Sequence, residues 1–296
     1  MASLKEVRNR IVSVSSTQQI TKAMKMVAAA KLRRAQDNII RMRPYAQRLS
    51  SILTNLSRLA EEGGPNVYSQ KRDIHRVLVI LVTSDRGLAG AFNTNVVKAV
   101  QALVQERYAA QMAAGQVEFM TIGRKGQENL GRKGYKLIDQ FTNLFGHLSF
   151  DAVRPAAEYA MERFVSGYYD QVDIVYNEFK NVATQIIRTE QFLPIEEKSL
   201  DAAADTAVLD YIFEPNRAEI VEELIPKSLK IQIYKAVLES NASEHGARMT
   251  AMDKATDNAG ELLKELKLTY NRSRQAAITT EILEIVGGAE ALAAGR

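Results

Sequence analysis

The segment Ser84 to Gly90 is the part of the sequence best placed to bind a small molecule. It follows an apolar run that predicts a buried strand and precedes a predicted helix, which is where α/β folds place ligand loops. Its glycines are spaced as GxxG, however, not as the GxGxxG or GxxxxGKS/T of nucleotide-binding loops, and no lysine follows to reach a phosphate. We therefore interpret it as a tight turn with structural glycines. The glycine pairs at 123–126 and 131–134 give a weaker signal still.

No combination of side chains in the sequence has the spacing of a catalytic or metal site. The histidines, His75, His147 and His245, have no carboxylate or histidine at ligand spacing, so we interpret them as structural or surface residues. The sequence has no local signature of a catalytic serine, histidine and acid triad, and no pair of carboxylates stands out as a catalytic pair. The absence of cysteine excludes disulfides and thiol chemistry. The sequence thus gives poor support for an enzyme, and we expect no cofactor and no metal.

Both ends of the chain are predicted to form long helices. From Ser3 to about Ser57, apolar or small residues recur at alternating steps of three and four, which is the seam of a coiled coil. A bend is expected at Pro44. The same period returns from about Asn216 to Val286, and Gly287 and Gly288 are expected to end that helix. Because the helices are similar in length and flank a compact region, we expect them to form an antiparallel intramolecular coiled coil.

The seam of the first helix turns polar between Val14 and Ala28. Over these turns the seam positions are polar and the apolar residues move to another face. The polar seam residues are Gln18, Thr21 and Lys25, and the displaced apolar residues are Ile20, Met24 and Val27. A helix that only packed on its partner would keep one apolar face. The displacement therefore predicts a second partner over these turns.

Positive charge is concentrated in the first helix. Residues 1–48 hold eleven lysines and arginines against two acidic residues, a net charge of +9, so the rest of the +4 chain carries −5. Such a helix suits nucleic acid, anionic lipid or an acidic protein surface, or is simply a solvated face. Nucleic acid is disfavoured, because Tyr45 is the first aromatic residue and no nucleic-acid motif is present. No apolar run is long enough to span a bilayer, and the N-terminus does not resemble a secretory signal.

The middle of the chain alternates strands and helices. Apolar runs predict strands at 77–82, 117–122, 135–141, 172–179 and 184–193, and amphipathic patterns predict helices at 94–111, 125–133 and 151–168. The last two strands are close enough to form a hairpin, and Asp151 is expected to cap the helix that precedes them. This order predicts a mostly parallel sheet with one antiparallel edge.

The predicted fold class is therefore α/β plus all-α. Residues 1–60 and 211–296 are expected to form the antiparallel coiled coil. Residues 61–210 are expected to form an inserted, Rossmann-like α/β domain that ends in a polar linker at 196–210.

Three segments resemble the gamma subunits of F-type ATP synthases, in the same order along the chain. They are Ile20–Arg34, Ser84–Gly90 with Asn93, and Tyr270–Ala289, whose I-T-x-E-x-x-E-x-x-x-G-A pattern is highly specific. The resemblance implies a non-catalytic central rotor shaft that couples proton flow through the membrane sector to ATP synthesis or hydrolysis. The implied partners are the hexamer of alpha and beta subunits, the epsilon subunit and the c-ring.

The resemblance also implies roles for single residues. Met24 and Lys25 match the region of the family that faces the acidic lever loop of the beta subunit, which would account for the polar break. Lys22, Arg33 and Arg34 are further basic residues of the same region. We call them, together with Lys25, the basic collar. Positions that contact the hexamer or brace the shaft in the family are occupied here by Arg248, Arg274, Gln275, Thr279 and Glu281.

The origin and cellular location of the protein are inferred from two sequence features that distinguish this chain from some family members. Photosynthetic members carry an inserted segment, and the chloroplast forms add a regulatory cysteine pair. Here the segment 194–210 is short and cysteine is absent. The resemblance therefore implies a bacterial protein that is peripheral to the cytoplasmic face of the inner membrane.

Overall fold

The computed structural model describes residues 4–58, 67–195 and 217–295. The helices are α1 (Leu4–Arg58), α2 (Phe92–Arg107), α3 (Ala109–Ala113), α4 (Arg124–Gly131), α5 (Phe150–Val165) and α6 (Arg217–Ala294). The strands are β1 (Val77–Val82), β2 (Val117–Ile122), β3 (Leu137–Ile138), β4 (Gln171–Phe179) and β5 (Gln185–Leu193). Short 3₁₀ turns lie at Val67–Ser69 and Leu144–His147. The predicted linker at 196–210 lies outside the described residues.

The five strands form one sheet in the order β3-β2-β1-β4-β5. The β1 strand pairs in parallel with β2 and β4, and β2 pairs in parallel with β3. The β4 and β5 strands form an antiparallel hairpin. The predicted sheet, mostly parallel with one antiparallel edge, is therefore confirmed, as is the predicted fold class of paired terminal helices around a central sheet.

Burial on both faces explains the continuous apolar sequence of β1. All six of its residues are buried. Leu78, Ile80 and Val82 face a core built with α5 and residues 229–237 of α6, whereas Val77, Val79 and Leu81 face a core built with α2. Each such side chain contributes roughly 1.5–3 kcal/mol when it is fully buried. The sequence of a central parallel strand therefore does not alternate between apolar and polar residues.

Two elements differ from their predictions because of aromatic side chains. The helix predicted at 94–111 is split at Tyr108, which leaves helical geometry so that its buried hydroxyl can donate to Asp173 Oδ2 at 2.6 Å. The third strand comprises two residues rather than the predicted 135–141. On either side of it, Tyr135 packs its ring against Phe119 and Phe141 packs its ring against Tyr159. Both Tyr135 and Phe141 are partly buried and pack against the cores instead of extending the edge of the sheet.

Two predicted helix features are also corrected. The cap of α5 is Ser149, whose hydroxyl accepts from the backbone N–H of Ala152, so Asp151 lies inside the first turn. The α6 helix continues through Gly287 and Gly288 to Ala294. Neither glycine adopts the positive φ that a glycine helix cap requires. Pro44 lies inside α1, and the bend expected there stays a prediction.

The chain divides into two compact units. The smaller comprises Met1–Val27 and Met249–Arg296, and the larger comprises Ala28–Arg248. Within each unit, a part of α1 lies antiparallel to a part of α6. The predicted domain boundaries at 60/61 and 210/211 fall outside the described residues and stay a prediction. In the described part of the chain, no helix is both long enough and apolar enough to cross a bilayer.

Candidate functional site

In the smaller unit, the polar residues of the α1 seam contact α6. Gln18 Nε2 donates to the carbonyl oxygen of Thr256 at 3.4 Å, and the Thr256 hydroxyl donates to that of Thr21 at 2.8 Å. The Lys25 ammonium forms an ion pair with Asp253. We call these five residues the polar layer. The break in the seam is therefore filled by matching polar groups on the partner helix.

A glycine on α6 makes room for this layer. A Cβ at Gly260 would lie 2.9 Å from Gln18 Nε2, closer than an ordinary contact. Met252 and Ala259 are buried on either side of the layer, so the apolar seam of α6 resumes directly above and below it. Polar groups set within an apolar seam penalise a shifted alignment, because shifted partners would leave them unpaired. The polar layer thus specifies the register of the helix pair in this unit.

The apolar residues of the same turns lie on the outside. Ile20 is 59% exposed and Val27 is 57% exposed, whereas Met24 is half-buried. Ile20 and Val27 are seven residues apart and so lie on one side of the helix, two turns from each other. Together they give the outer side of α1 a small apolar surface at these turns.

The basic residues of the predicted collar are placed differently from one another. Lys25 forms an ion pair with Asp253 within the polar layer. Lys22, Arg33 and Arg34 are exposed, and the described residues place no carboxylate within ion-pairing distance of them. Three cations are therefore available to an acidic surface, and the fourth has a partner in its own chain.

The α6 helix is exposed on all sides from Arg274 to Glu290. Every residue from Arg274 to Glu290 is exposed, which includes four of the predicted contact residues: Arg274, Gln275, Thr279 and Glu281. The Thr279 hydroxyl donates to the Gln275 carbonyl oxygen at 3.0 Å, a bond internal to the helix. Ile278, Ile282 and Ile285 follow at steps of four and three and are all exposed. This apolar stripe has no partner in the described residues.

In the larger unit, Arg248 binds the loop that follows β1. Its guanidinium donates to the carbonyl oxygens of Arg86 and Gly87, each at 3.1 Å, and pairs with Glu244 one turn earlier. Both side chains of this ion pair are largely buried. Arg248 is therefore placed as a brace between α6 and the loop.

Burial dominates the ionisation of the residues beside Arg248. It raises the pKa of the Glu244 carboxyl, and the neighbouring Arg248 charge opposes this shift. Burial also lowers the pKa of His245 to about 4, with repulsion from Arg248 and Lys31 adding to the effect. His245 is thus neutral at physiological pH. His75 and His147 are exposed, and no group of metal-binding side chains occurs among the described residues.

The loop after β1 uses its polar groups to hold its own backbone. The Asn93 side chain accepts from the backbone N–H of Ser84 at 2.9 Å, and the Ser84 hydroxyl donates to the Arg86 carbonyl oxygen at 2.6 Å. Leu88 and Gly90 adopt positive φ angles of 63° and 59°. The segment is a tight turn, as predicted, but only Gly90 of its two glycines needs the left-handed conformation.

Sequence reasoning missed the partners of the polar break. Asp253 and Thr256 could have been found, because the apolar seam of α6 is itself interrupted between Met252 and Ala259. Two interruptions at matching positions of an antiparallel pair can satisfy each other. The break in α1 alone was attributed to a separate partner.

Exchanging the charges of the polar layer tests whether Lys25 and Asp253 depend on each other. Lys25→Asp and Asp253→Lys should each destabilise the folded chain by about 1 kcal/mol, since each places like charges together. The double exchange should recover most of the loss. Thermal unfolding of the full chain would measure this, with Lys22→Asp as a matched control that Asp253→Lys should not rescue. Equal rescue of both lysine variants would contradict the pairing.

Comparison with known proteins places this arrangement in a family. A family model described as ATP synthase matches residues 3–292. The ATP synthase gamma chain of Cytophaga hutchinsonii is 64% identical over 293 residues, with 99% of each chain covered. That of Flavobacterium psychrophilum is 56% identical over 292 residues, again with 99% of each covered. The chain belongs to the ATP synthase gamma chain family. The prediction made from the three sequence segments is confirmed.

Solved structures share the fold. A chain of the Euglena gracilis mitochondrial ATP synthase, from a structure titled as OSCP, F1 and c-ring, is 23% identical with a TM-score of 0.70; 99% of this chain and 95% of that one are covered. A central stalk and c-ring structure from Tetrahymena thermophila gives 24% identity and a TM-score of 0.57, with 80% and 99% covered. At this identity the likeness concerns the fold.

Proposed function

We propose that this chain is the central rotor shaft of a bacterial F-type ATP synthase. In this role it couples proton flow through the membrane sector to ATP synthesis, or to hydrolysis in the reverse direction. It makes and breaks no bonds itself. It acts by making different contacts with each beta subunit, so that each catalytic site is biased towards a different conformation.

The observation that carries this proposal is the fully exposed end of α6. A run from Arg274 to Glu290 with no buried residue, and with an apolar stripe along it, gains little stability by itself in water. An enclosing apolar surface would bury the stripe. This supports the assignment of Arg274, Gln275, Thr279 and Glu281 as contacts with a hexamer of alpha and beta subunits.

The outer side of α1 supports a second contact with the same hexamer. Met24 is half-buried between the polar layer and the exposed Ile20 and Val27, so a lever loop could touch it from outside. Lys22 is exposed nearby on the same helix and suits an acidic loop. In this proposal Lys25 positions the helix pair through Asp253. It contributes to the lever-loop contact indirectly.

The remaining partners and the location belong to the same proposal. The sheet-containing region, predicted at 61–210, would bind the epsilon subunit and rest on the c-ring, and the coiled coil at 1–60 and 211–296 would enter the hexamer. The chain would then be peripheral to the cytoplasmic face of the bacterial inner membrane. The bacterial gamma chains that are 64% and 56% identical support this setting.

Reconstitution tests the proposal. The full chain is mixed with alpha and beta subunits from the same organism, and ATP hydrolysis is assayed with and without it. We expect the chain to join the assembly in one copy per hexamer and to raise cooperative hydrolysis. The same assembly, bound to membranes stripped of their own F1 sector, should restore ATP-driven proton pumping. An assembly whose hydrolysis and pumping do not depend on the chain would refute the rotor function.

Met24→Lys tests the lever-loop contact. A positive charge at this half-buried position should alter the contact with the beta subunit and lower the ratio of pumped protons to hydrolysed ATP by about fivefold. Met26→Lys is the matched control, since Met26 is 61% exposed on the same helix. Proton pumping and hydrolysis are measured in the same vesicles. Equal coupling in both variants and the unmodified chain would contradict the assignment of Met24.

A further inference from the structure

A polar cavity of about 280 Å³ lies at the edge of the sheet where the parallel strands begin. Arg76 directly precedes β1, Gln116 precedes β2 and Lys136 precedes β3, and all three line the cavity. Because these strands are parallel, their starts lie at one edge, opposite the loop that Arg248 binds. Its volume is close to that of the smaller ligand pockets of proteins, roughly 300 Å³.

A carboxylate held by two tyrosines forms one wall of the cavity. The hydroxyl of Tyr168 donates to Glu118 Oε1 at 3.1 Å, and that of Tyr169 donates to Oε2 at 2.6 Å. Burial and the Glu118 carboxylate raise the pKa of the Tyr169 hydroxyl, which therefore remains a donor. A carboxylate has about four lone-pair positions, so roughly two remain open after these bonds. Glu118 is thus a fixed acceptor for hydroxyl groups of a ligand.

Two cations line the same cavity without a carboxylate partner. The Arg76 guanidinium lies over the ring of Tyr168, 4.8 Å from its centre, and the Lys136 ammonium donates to the Gly115 carbonyl oxygen at 2.7 Å. In the part of the chain that the structure describes, neither is within ion-pairing distance of an acidic side chain. Each keeps unused N–H donors, since arginine has five and lysine three. With Glu118 included, the cavity carries a net charge of +1.

We propose that this cavity binds a phosphate group that carries neighbouring hydroxyls, as a glycerol phosphate does. The phosphate oxygens accept from Arg76 and Lys136, because guanidinium and ammonium groups both bind phosphate strongly. The hydroxyls donate to the open lone pairs of Glu118. The cavity thus combines two cations that suit a phosphate with one fixed acceptor that suits hydroxyl groups, whereas a basic patch would offer cations alone. Either a soluble phosphorylated polyol or the headgroup of phosphatidylglycerol offers this chemistry.

Two binding experiments on the full chain distinguish the sources. Isothermal titration with glycerol phosphate tests the soluble form, and inorganic phosphate serves as the probe without a polyol. Nanodiscs of phosphatidylglycerol, compared with phosphatidylcholine at 150 mM salt (a concentration that screens general attraction), test the headgroup. Saturable binding of glycerol phosphate at least tenfold tighter than inorganic phosphate supports a soluble ligand. Saturable binding to phosphatidylglycerol discs alone supports the lipid.

Variants show whether any binding occurs in this cavity. Arg76→Gln, Lys136→Gln and Glu118→Gln should each weaken binding at least tenfold in the arm that shows it. Lys133→Gln removes the same charge from an exposed position outside the cavity lining and should leave binding within twofold. Circular dichroism confirms that each variant is folded. The proposal is overturned if neither binding experiment shows saturable binding, or if Lys133→Gln weakens binding as much as the cavity variants do. Either result leaves the rotor function untouched, because reconstituted hydrolysis is assayed separately.

Discussion

Gly123→Ala should destabilise the folded chain by more than about 3 kcal/mol. Gly123 follows β2 with φ at +98°, and a Cβ there would lie 2.1 Å from the Thr83 carbonyl oxygen. That oxygen belongs to the backbone at the end of β1, so no side chain can move aside to make room. The alanine would add left-handed strain, about 1–3 kcal/mol, to an overpacking cost of similar size. Thermal unfolding of the full chain, followed by circular dichroism, measures the loss.

Gly134→Ala separates the two costs. Gly134 also has a positive φ, +76°, but a Cβ there would meet nothing within 4 Å. This variant should therefore lose only the strain, about 1 kcal/mol. Equal losses in the two variants would show that the close approach of Gly123 to Thr83 has no energetic weight.

The sequence predicts best those elements whose own residues determine their burial. The bounds of β1 and β2 are as predicted. The β1 strand has six consecutive apolar residues and β2 has four among six, a composition typical of strands buried on both faces. The edge strand β3 is predicted too long, since its length depends on where Tyr135 and Phe141 find aromatic partners. The pair Gly123 and Gly126 gives only a faint ligand signal in the sequence. The structure shows instead that both leave space for Thr83.

The turns of α1 that form the candidate site can be predicted from the sequence, but the α6 side chains that pair with them cannot. The interruption of the α1 seam marks the turns at which the polar layer lies, and the exposed Ile20 and Val27 form an outer face there. The partner of Lys25 depends on how two distant helices align, and spacing within one helix carries no information on that alignment. Asp253 is 228 residues away in the sequence. A charge in a seam is therefore weak evidence for an external partner until the opposite helix has been searched for its complement.

Arg43→Met should cost about 3 kcal/mol by leaving a buried carboxylate without its cation. Arg43 Nε and Nη2 donate to Glu239 Oε1 at 3.1 and 3.0 Å, and Nη2 also donates to the Phe179 carbonyl oxygen at 3.2 Å. The Glu239 side chain is only 2% exposed, so the guanidinium is its main charged partner and shields it from water. Glu239 Oε2 accepts from Arg43 Nη2 at 3.2 Å and from the backbone N–H of Phe179 at 3.1 Å. Removing one partner of a buried ion pair typically costs 3–5 kcal/mol, and the 44% exposure of Arg43 favours about the lower value.

A double-mutant cycle shows whether this cost arises from the pair. Glu239→Gln should cost less than Arg43→Met, roughly 1–2 kcal/mol, because the half-exposed guanidinium that remains can be hydrated. The double variant should then lose at least about 1 kcal/mol less than the sum of the single losses. Arg41→Met removes the same charge from an exposed position two residues away and should change stability by less than about 0.5 kcal/mol. Urea denaturation measures all four variants, and strict additivity would mean that Arg43 stabilises the junction of α1, α6 and β4 by packing alone.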